Sequence, residues 1–150
     1  MTLRDAPSRE RLLPWMNFLR GHALIMRELS AELLHEHGLS INDYEVLLYL
    51  SNAPDRMMRR VDLASSVLVT ASGITRILQS LEREGYVESH TCPDDGRVSW
   101  ACLTETGIAK ARAARATHLD GVRRLFLGRF SDDELATLGE LLLRLPGNAD

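Results

Sequence analysis

Lysine is nearly absent from this chain: Lys110 stands alone among 18 lysine and arginine residues, so every other basic side chain is a guanidinium. Long apolar runs are missing as well. None approaches the roughly 20 residues a membrane-spanning helix needs. The opening stretch, Met1-Thr2-Leu3-Arg4-Asp5, has no signal-peptide core, so the expected location is the cytoplasm, with no membrane partner. Two cysteines, Cys92 and Cys102, are too few for a disulfide scaffold. There is no phosphate-binding glycine loop, no Gly-x-Ser-x-Gly, no His-Glu-x-x-His and no Cys-x-x-Cys. No spacing of Ser, His and Asp singles out a nucleophile with its base, and an enzyme is not expected. No repeat, low-complexity tract or Pro/Gly/Ser-rich linker interrupts the 150 residues; at 45% hydrophobic they suffice for a single compact chain, 1–150. The formal charge of −3 argues against a broad binder of polyanions.

What is present is concentrated between residues 60 and 103. Val61, Leu63, Ala64 and Val67 pattern a short helix, and Leu68-Val69-Thr70 forms a tight connector without the glycine often found there. A second helix is predicted from about Ala71 to Glu84, opened by Thr70, a favoured N-cap, and stopped by Gly85. Ile74, Ile77, Leu78 and Leu81 give it one buried face. Ser72, Arg76, Gln79 and Arg83, at intervals of four, three and four, line the face turned away, with Thr75 alongside. Arginine and glutamine hydrogen-bond guanine and adenine edges in the major groove, while serine and threonine reach phosphates or bases. Residues 86–92 and 98–103 are rich in β-branched and aromatic side chains and flank Pro93-Asp94-Asp95-Gly96, a turn signal. They predict a two-stranded wing; a turn centred on Asp95-Gly96 sets Cys92 opposite Ser99 and Cys102 opposite Ser89.

Helix, connector, helix and hairpin in that order make a winged helix-turn-helix over 40–103, with double-stranded DNA as its partner. The local charge agrees with this. Arg56, Arg59, Arg60, Arg76 and Arg83 face only Asp62 and Glu82 over the same span. A modest basic surface on an acidic body suits sequence-selective binding better than tight non-specific binding.

The flanks read as helices with surplus apolar stripes. Leu12, Met16, Leu19, Ala23 and Met26, then Leu29 and Leu33, pattern a helix over about 8–37, too long for one small core to cover. Ser40 opens the next helix with Asp43 closing its capping box, and Tyr44, Val46, Leu47, Leu48 and Leu50 follow. From Ile108 to Gly128, Ala111, Ala114, His118, Val122 and Leu125 recur at coiled-coil-like spacing. Ser131 and Glu134 cap a last helix carrying Leu135, Leu138, Leu142 and Leu145. The fold class is therefore mainly α with a small β-hairpin wing (α+β). Residues 8–37 and 105–146 are expected to form dimerisation helices, because unpartnered apolar faces are most often covered in a symmetric dimer. Two recognition helices then lie about one DNA turn apart, on the order of 10 base pairs, and predict a palindromic operator.

Three motifs bring in a resemblance. Leu81-Glu82-Arg83-Glu84-Gly85-Tyr86-Val87, then Asp95-Gly96-Arg97, then Leu103-Thr104-Glu105-Thr106-Gly107 resemble the MarR family of bacterial transcription regulators, over most of the chain. The resemblance implies that Arg97 enters the minor groove and that Asp95 orients a neighbouring arginine, which adds both to a DNA-contact set of Thr70, Ser72, Thr75, Arg76, Gln79 and Arg83. Gly96 and His90 stand where many members carry basic residues. The resemblance also implies a repressor relieved by a small phenolic or aromatic acid, held between the dimerisation helices and the winged-helix lobe. For that anion, Trp15, Arg20, His22, Arg27 and Tyr44 offer an aromatic surface and cationic anchors.

Other triggers on the same fold are thiol oxidation at Cys92 or Cys102, or a metal; a protein-interaction module without DNA binding is a further alternative. The two cysteines are not cross-strand neighbours in the expected register, so inert thiols are the default. His35 and His37 diverge on their helix and could join Glu36 and His118 at a zinc ion only through folding or dimerisation. No metal site and no cofactor is expected.

Overall fold

A computed structural model describes residues 7–91 and 98–147. Six helices and three strands follow one another: α1 Arg9–His37, α2 Ile41–Asn52, β1 Met57–Arg59, α3 Arg60–Val67, α4 Ala71–Arg83, β2 Val87–Thr91, β3 Ser99–Leu103, α5 Glu105–Leu125 and α6 Asp132–Leu142. They divide into two compact units, one from residues up to Leu29 with those from Gly121 onward, the other spanning Ser30–Asp120. No single helix among the described residues is long and apolar enough to cross a membrane.

The unit Ser30–Asp120 holds the core. Leu33, Leu47, Leu50, Leu63 and Leu78 are wholly buried there, with Ile74, Leu81, Val87 and Ala101 around them. Helix starts fall where the capping residues put them. Ser40 accepts from Asp43 N while Asp43 accepts from Ser40 N, a closed capping box, and Thr70 Oγ1 accepts from Gly73 N at 3.1 Å. Gly85, at φ +75°, takes the left-handed conformation that ends α4.

The connector between α3 and α4 closes without glycine because Leu68 itself adopts the left-handed conformation, φ 58° and ψ 41°, with its side chain 91% exposed. That conformation costs a non-glycine residue about 1–2 kcal/mol. It lets Val69 N reach Ala64 O at 3.0 Å and turns α4 away from α3 by 103°, within the range of a helix-turn-helix. Val61, expected on the buried face of α3, is 69% exposed; that face is carried by Leu63, Ala64 and Val67. At about 100° per residue Val61 falls outside the arc of the helix that Leu63, Val67 and Ala64 share.

Two expectations for the wing are corrected. The sheet has three strands rather than two, in the order β1-β3-β2 and antiparallel throughout, with Met57 opposite Cys102 and Arg59 opposite Trp100. The β2–β3 register also differs by one residue: Thr91, not Cys92, lies opposite Ser99, and Glu88, not Ser89, opposite Cys102. The connection, 92–98, is odd in length, whereas a two-residue turn centred on Asp95-Gly96 requires an even one. A one-residue shift exchanges the two faces of a strand, and the observed register sends Ala101 and Leu103 inward.

A clasp joins the base of the wing to α5. Thr104 N donates to Tyr86 O at 3.1 Å, Thr104 Oγ1 donates to Gly85 O at 2.7 Å and accepts from Gly107 N at 3.0 Å. A Cβ on Gly107 would lie 2.0 Å from Tyr86 O. Only glycine allows this approach. Helix α5 starts three residues earlier than its apolar spacing indicated and ends at Leu125, leaving Gly128 in a short 3-10 turn, Leu127–Arg129.

In the other unit, Ser131 and Glu134 close the capping box of α6 as expected. Its apolar positions find little cover: no residue of α6 is buried, and Leu12, Met16 and Leu19 on α1 are exposed.

Candidate nucleic-acid interface

The outward face of α4 carries the side chains singled out by spacing. Ser72, Arg76, Gln79 and Arg83 are exposed, while Thr75 is half-buried and donates to Ala71 O at 2.9 Å. Thr70 Oγ1, besides capping α4, lies 3.1 Å from Ser72 Oγ. Arg83 Nε donates to Gln79 O at 3.3 Å, which leans its guanidinium back along the helix.

Ion pairing decides which arginines of this region remain available. Arg59 meets Asp62 at 2.7 Å, Arg56 meets Glu105 at 3.2 Å, and Arg60, partly buried, meets Glu82 at 3.5 Å and donates to Ser89 Oγ at 2.9 Å. Among the described residues, Arg76 and Arg83 have no carboxylate partner. The local positive excess therefore resides on the outer face of α4, where a phosphate or a base edge can replace water at each guanidinium. Arg60, Glu82 and Ser89, with Ser89 Oγ donating to Glu82 Oε1, tie α3, α4 and β2 together behind it. This network was not anticipated; its sequence signal is a basic residue at a helix start and a glutamate otherwise read as part of a motif. Asp95 and Arg97, with Cys92, lie outside the described residues.

The residues singled out for an anionic ligand are distributed. Trp15, Arg20, His22 and Arg27 belong to the unit that includes the first part of α1, and Tyr44 to the other. Trp15, Phe18 and His22 form a ring ladder, with centroids 6.3 and 6.2 Å apart, and Arg27 pairs with Glu28 at 3.3 Å. Arg20 is exposed. His22 lines a cavity of about 520 Å³ with Phe18, Ile25, Phe126, Arg129 and Phe130. Spacing did not single out the last three, although the Phe126/Phe130 pair, 5.4 Å apart, is an i, i+4 aromatic signal. Tyr44 is buried against the His118 ring at 4.7 Å. Burial raises the Tyr44 hydroxyl pKa, against the opposing charge of Arg115, and burial lowers that of His118, whose Nδ1 has no partner among the described residues.

His37 Nε2 lies 2.8 Å from Thr117 Oγ1, which donates to Glu36 Oε2 at 2.9 Å. Among the described residues no three His, Cys, Asp or Glu side chains could hold a metal ion. Burial, and then Glu88 opposite it, push the Cys102 thiol up, away from the reactive thiolate.

A capped helix turned across α3, bearing two uncommitted arginines and followed by a hairpin, defines a winged-helix DNA-binding transcription regulator. Residues 37–98 match the sequence profile of the MarR family. That match covers the winged-helix lobe, and over it the chain is similar to the family. It is 28% identical to AbsC, a MarR family transcriptional regulator from Streptomyces coelicolor, with a TM-score of 0.85 over 91% of this chain and 92% of that one. It is also 28% identical to Sco3205, a MarR family regulator of the same organism solved in complex with DNA, with a TM-score of 0.86 over 91% and 89% of the two chains. The HTH-type transcriptional regulator MhqR of Bacillus subtilis (strain 168) is 26% identical over 116 residues, 77% of this chain and 78% of that protein.

Proposed function

We propose that this protein is a homodimeric cytoplasmic repressor that binds a palindromic operator and releases it when a small aromatic or phenolic acid binds. Each protomer reads the major groove with Arg76 and Gln79 and anchors the backbone with Thr70, Ser72, Thr75 and Arg83; Arg97, oriented with Asp95, enters the flanking minor groove. The observation that carries this reading is the charge distribution on the lobe. Of the five arginines between Arg56 and Arg83, three are ion-paired and the two on the outer face of α4 are not. The bare apolar positions of α1 and α6 support the dimer, since exposed apolar surface of this kind marks an interface. The ring ladder of Trp15, Phe18 and His22, with Arg20 on the same helix, supports an aromatic anion as effector. Sco3205, similar over nearly its whole length, has been seen on DNA.

The test is a mobility shift on the DNA upstream of the protein's own coding sequence, repeated at several salt concentrations. A shift that weakens steeply with salt, and that Arg76→Ala with Arg83→Ala abolishes, is the expected result. A protein-interaction module gives no shift at any salt concentration, and that outcome overturns the reading.

A further inference from the structure

The lobe Ser30–Asp120 contains a polar cavity of about 260 Å³ that shares no lining residue with the outer face of α4. Three guanidiniums line it: Arg56, Arg112 and Arg115. Helix spacing explains the convergence. Ile108, Ala111, Arg112 and Arg115 share one face of α5, and Leu48, Ser51 and Asn52 share one face of α2. Arg56 is brought in by the backbone, for both Asp55 and Arg56 have positive φ, 51° and 56°, a conformation that non-glycine residues keep only where the surroundings hold them.

Arg115 acts on the Tyr44 hydroxyl through its charge, without an ion pair. Arg56 pairs with Glu105, itself almost fully exposed, while Arg112 and Arg115 have no ion-pair partner among the described residues. Nor are they needed to cap α2, since Leu47 O already accepts from Ser51 Oγ and Leu50 O from Ala53 N. Three positive charges against one negative leave two uncompensated. Between them, Leu48, Ile108 and Ala111 supply a short apolar floor.

We propose that this cavity is a binding site for a small dicarboxylate, its two carboxylates on the guanidiniums of Arg112, Arg115 and Arg56 and its carbon body on the apolar floor. Guanidinium forks match carboxylates bidentately, and the excess of two positive charges selects a dianion over a monoanion. The site shares no residue with the effector set on α1 and α2 and goes beyond the regulator's proposed response to an aromatic acid.

Calorimetric titration of the full chain, without DNA, against succinate, phthalate, benzoate and inorganic phosphate tests this. Succinate and phthalate bind, and benzoate binds roughly tenfold or more weakly by comparison. Arg112→Gln and Arg115→Gln each weaken succinate roughly tenfold or more, because each removes a charge-assisted contact. Both side chains are exposed, so thermal unfolding of these variants matches the wild type. Arg112→Lys, which keeps the charge but not the fork, weakens succinate by a smaller factor. The proposal is overturned if neither dicarboxylate binds, if only phosphate binds, if benzoate equals succinate, or if the Arg112→Gln/Arg115→Gln double variant binds succinate as the wild type does. With no DNA present, these outcomes are independent of the repressor reading, and succinate, lacking a ring, separates this site from an aromatic-acid site.

Discussion

Arg76 occupies the middle of the outer face of α4, free of carboxylates, with Gln79 one turn further on. If it reads a base, Arg76→Ala costs about 1–3 kcal/mol of operator affinity and relaxes preference at one base position. Fluorescence anisotropy on a randomised operator library measures both; unchanged affinity and preference remove Arg76 from the readout. His118 gives a prediction of a different kind. Burial against Tyr44 lowers its pKa in the folded state, so the unfolded chain binds the proton more readily. The stability associated with neutral His118 is complete above the unfolded pKa, near 6.5, and is lost as pH falls through the lower folded value. Replacing it with phenylalanine should flatten the decline in Tm between pH 7 and 5, and an unaltered decline would locate the acid sensitivity elsewhere. Neither the burial of His118 nor the ion pairs that occupy Arg56 and Arg60 could be read from the chain, because each depends on contacts between distant segments, whereas the Arg59–Asp62 pair is local. The outer face of α4 could be read, because one helix period sets it.

At the scale of elements, helix starts were legible wherever a side chain caps its own backbone: Ser40 with Asp43, Thr70 with Gly73, Ser131 with Glu134. β1 was not. Three residues, Met57-Met58-Arg59, show no alternation long enough to register, and the strand exists only because β3 pairs with it. The wing register was missed for a related reason, since turn signals name the residues of a bend but not its length. The α3–α4 connector shows how an element can close without its usual residue. Leu68 bears left-handed strain with a side chain that packs on almost nothing. Leu68→Gly removes a strain of about 1–2 kcal/mol and adds a backbone entropy cost of about 0.5–1 kcal/mol. The net effect is a small stabilisation, visible as a Tm higher by a few degrees, and a lower Tm would show that the connector is not left-handed in solution.

For the whole molecule the prominent feature is apolar surface without cover on α1 and α6. If a second copy supplies that cover, folding and association are linked, and Tm rises with protein concentration. Sedimentation gives the mass directly; a monomer at micromolar concentration with a concentration-independent Tm would refute the dimer and with it the expected spacing of operator half-sites. The clasp at Thr104 and Gly107 has a mechanical consequence. It fastens the end of α4, the start of β2 and the first turn of α5 at one point, with no room for slack because the Gly107 backbone already touches Tyr86 O. If that close approach is kept in solution, a displacement of the first turn of α5 carries Gly85 and the start of β2 with it.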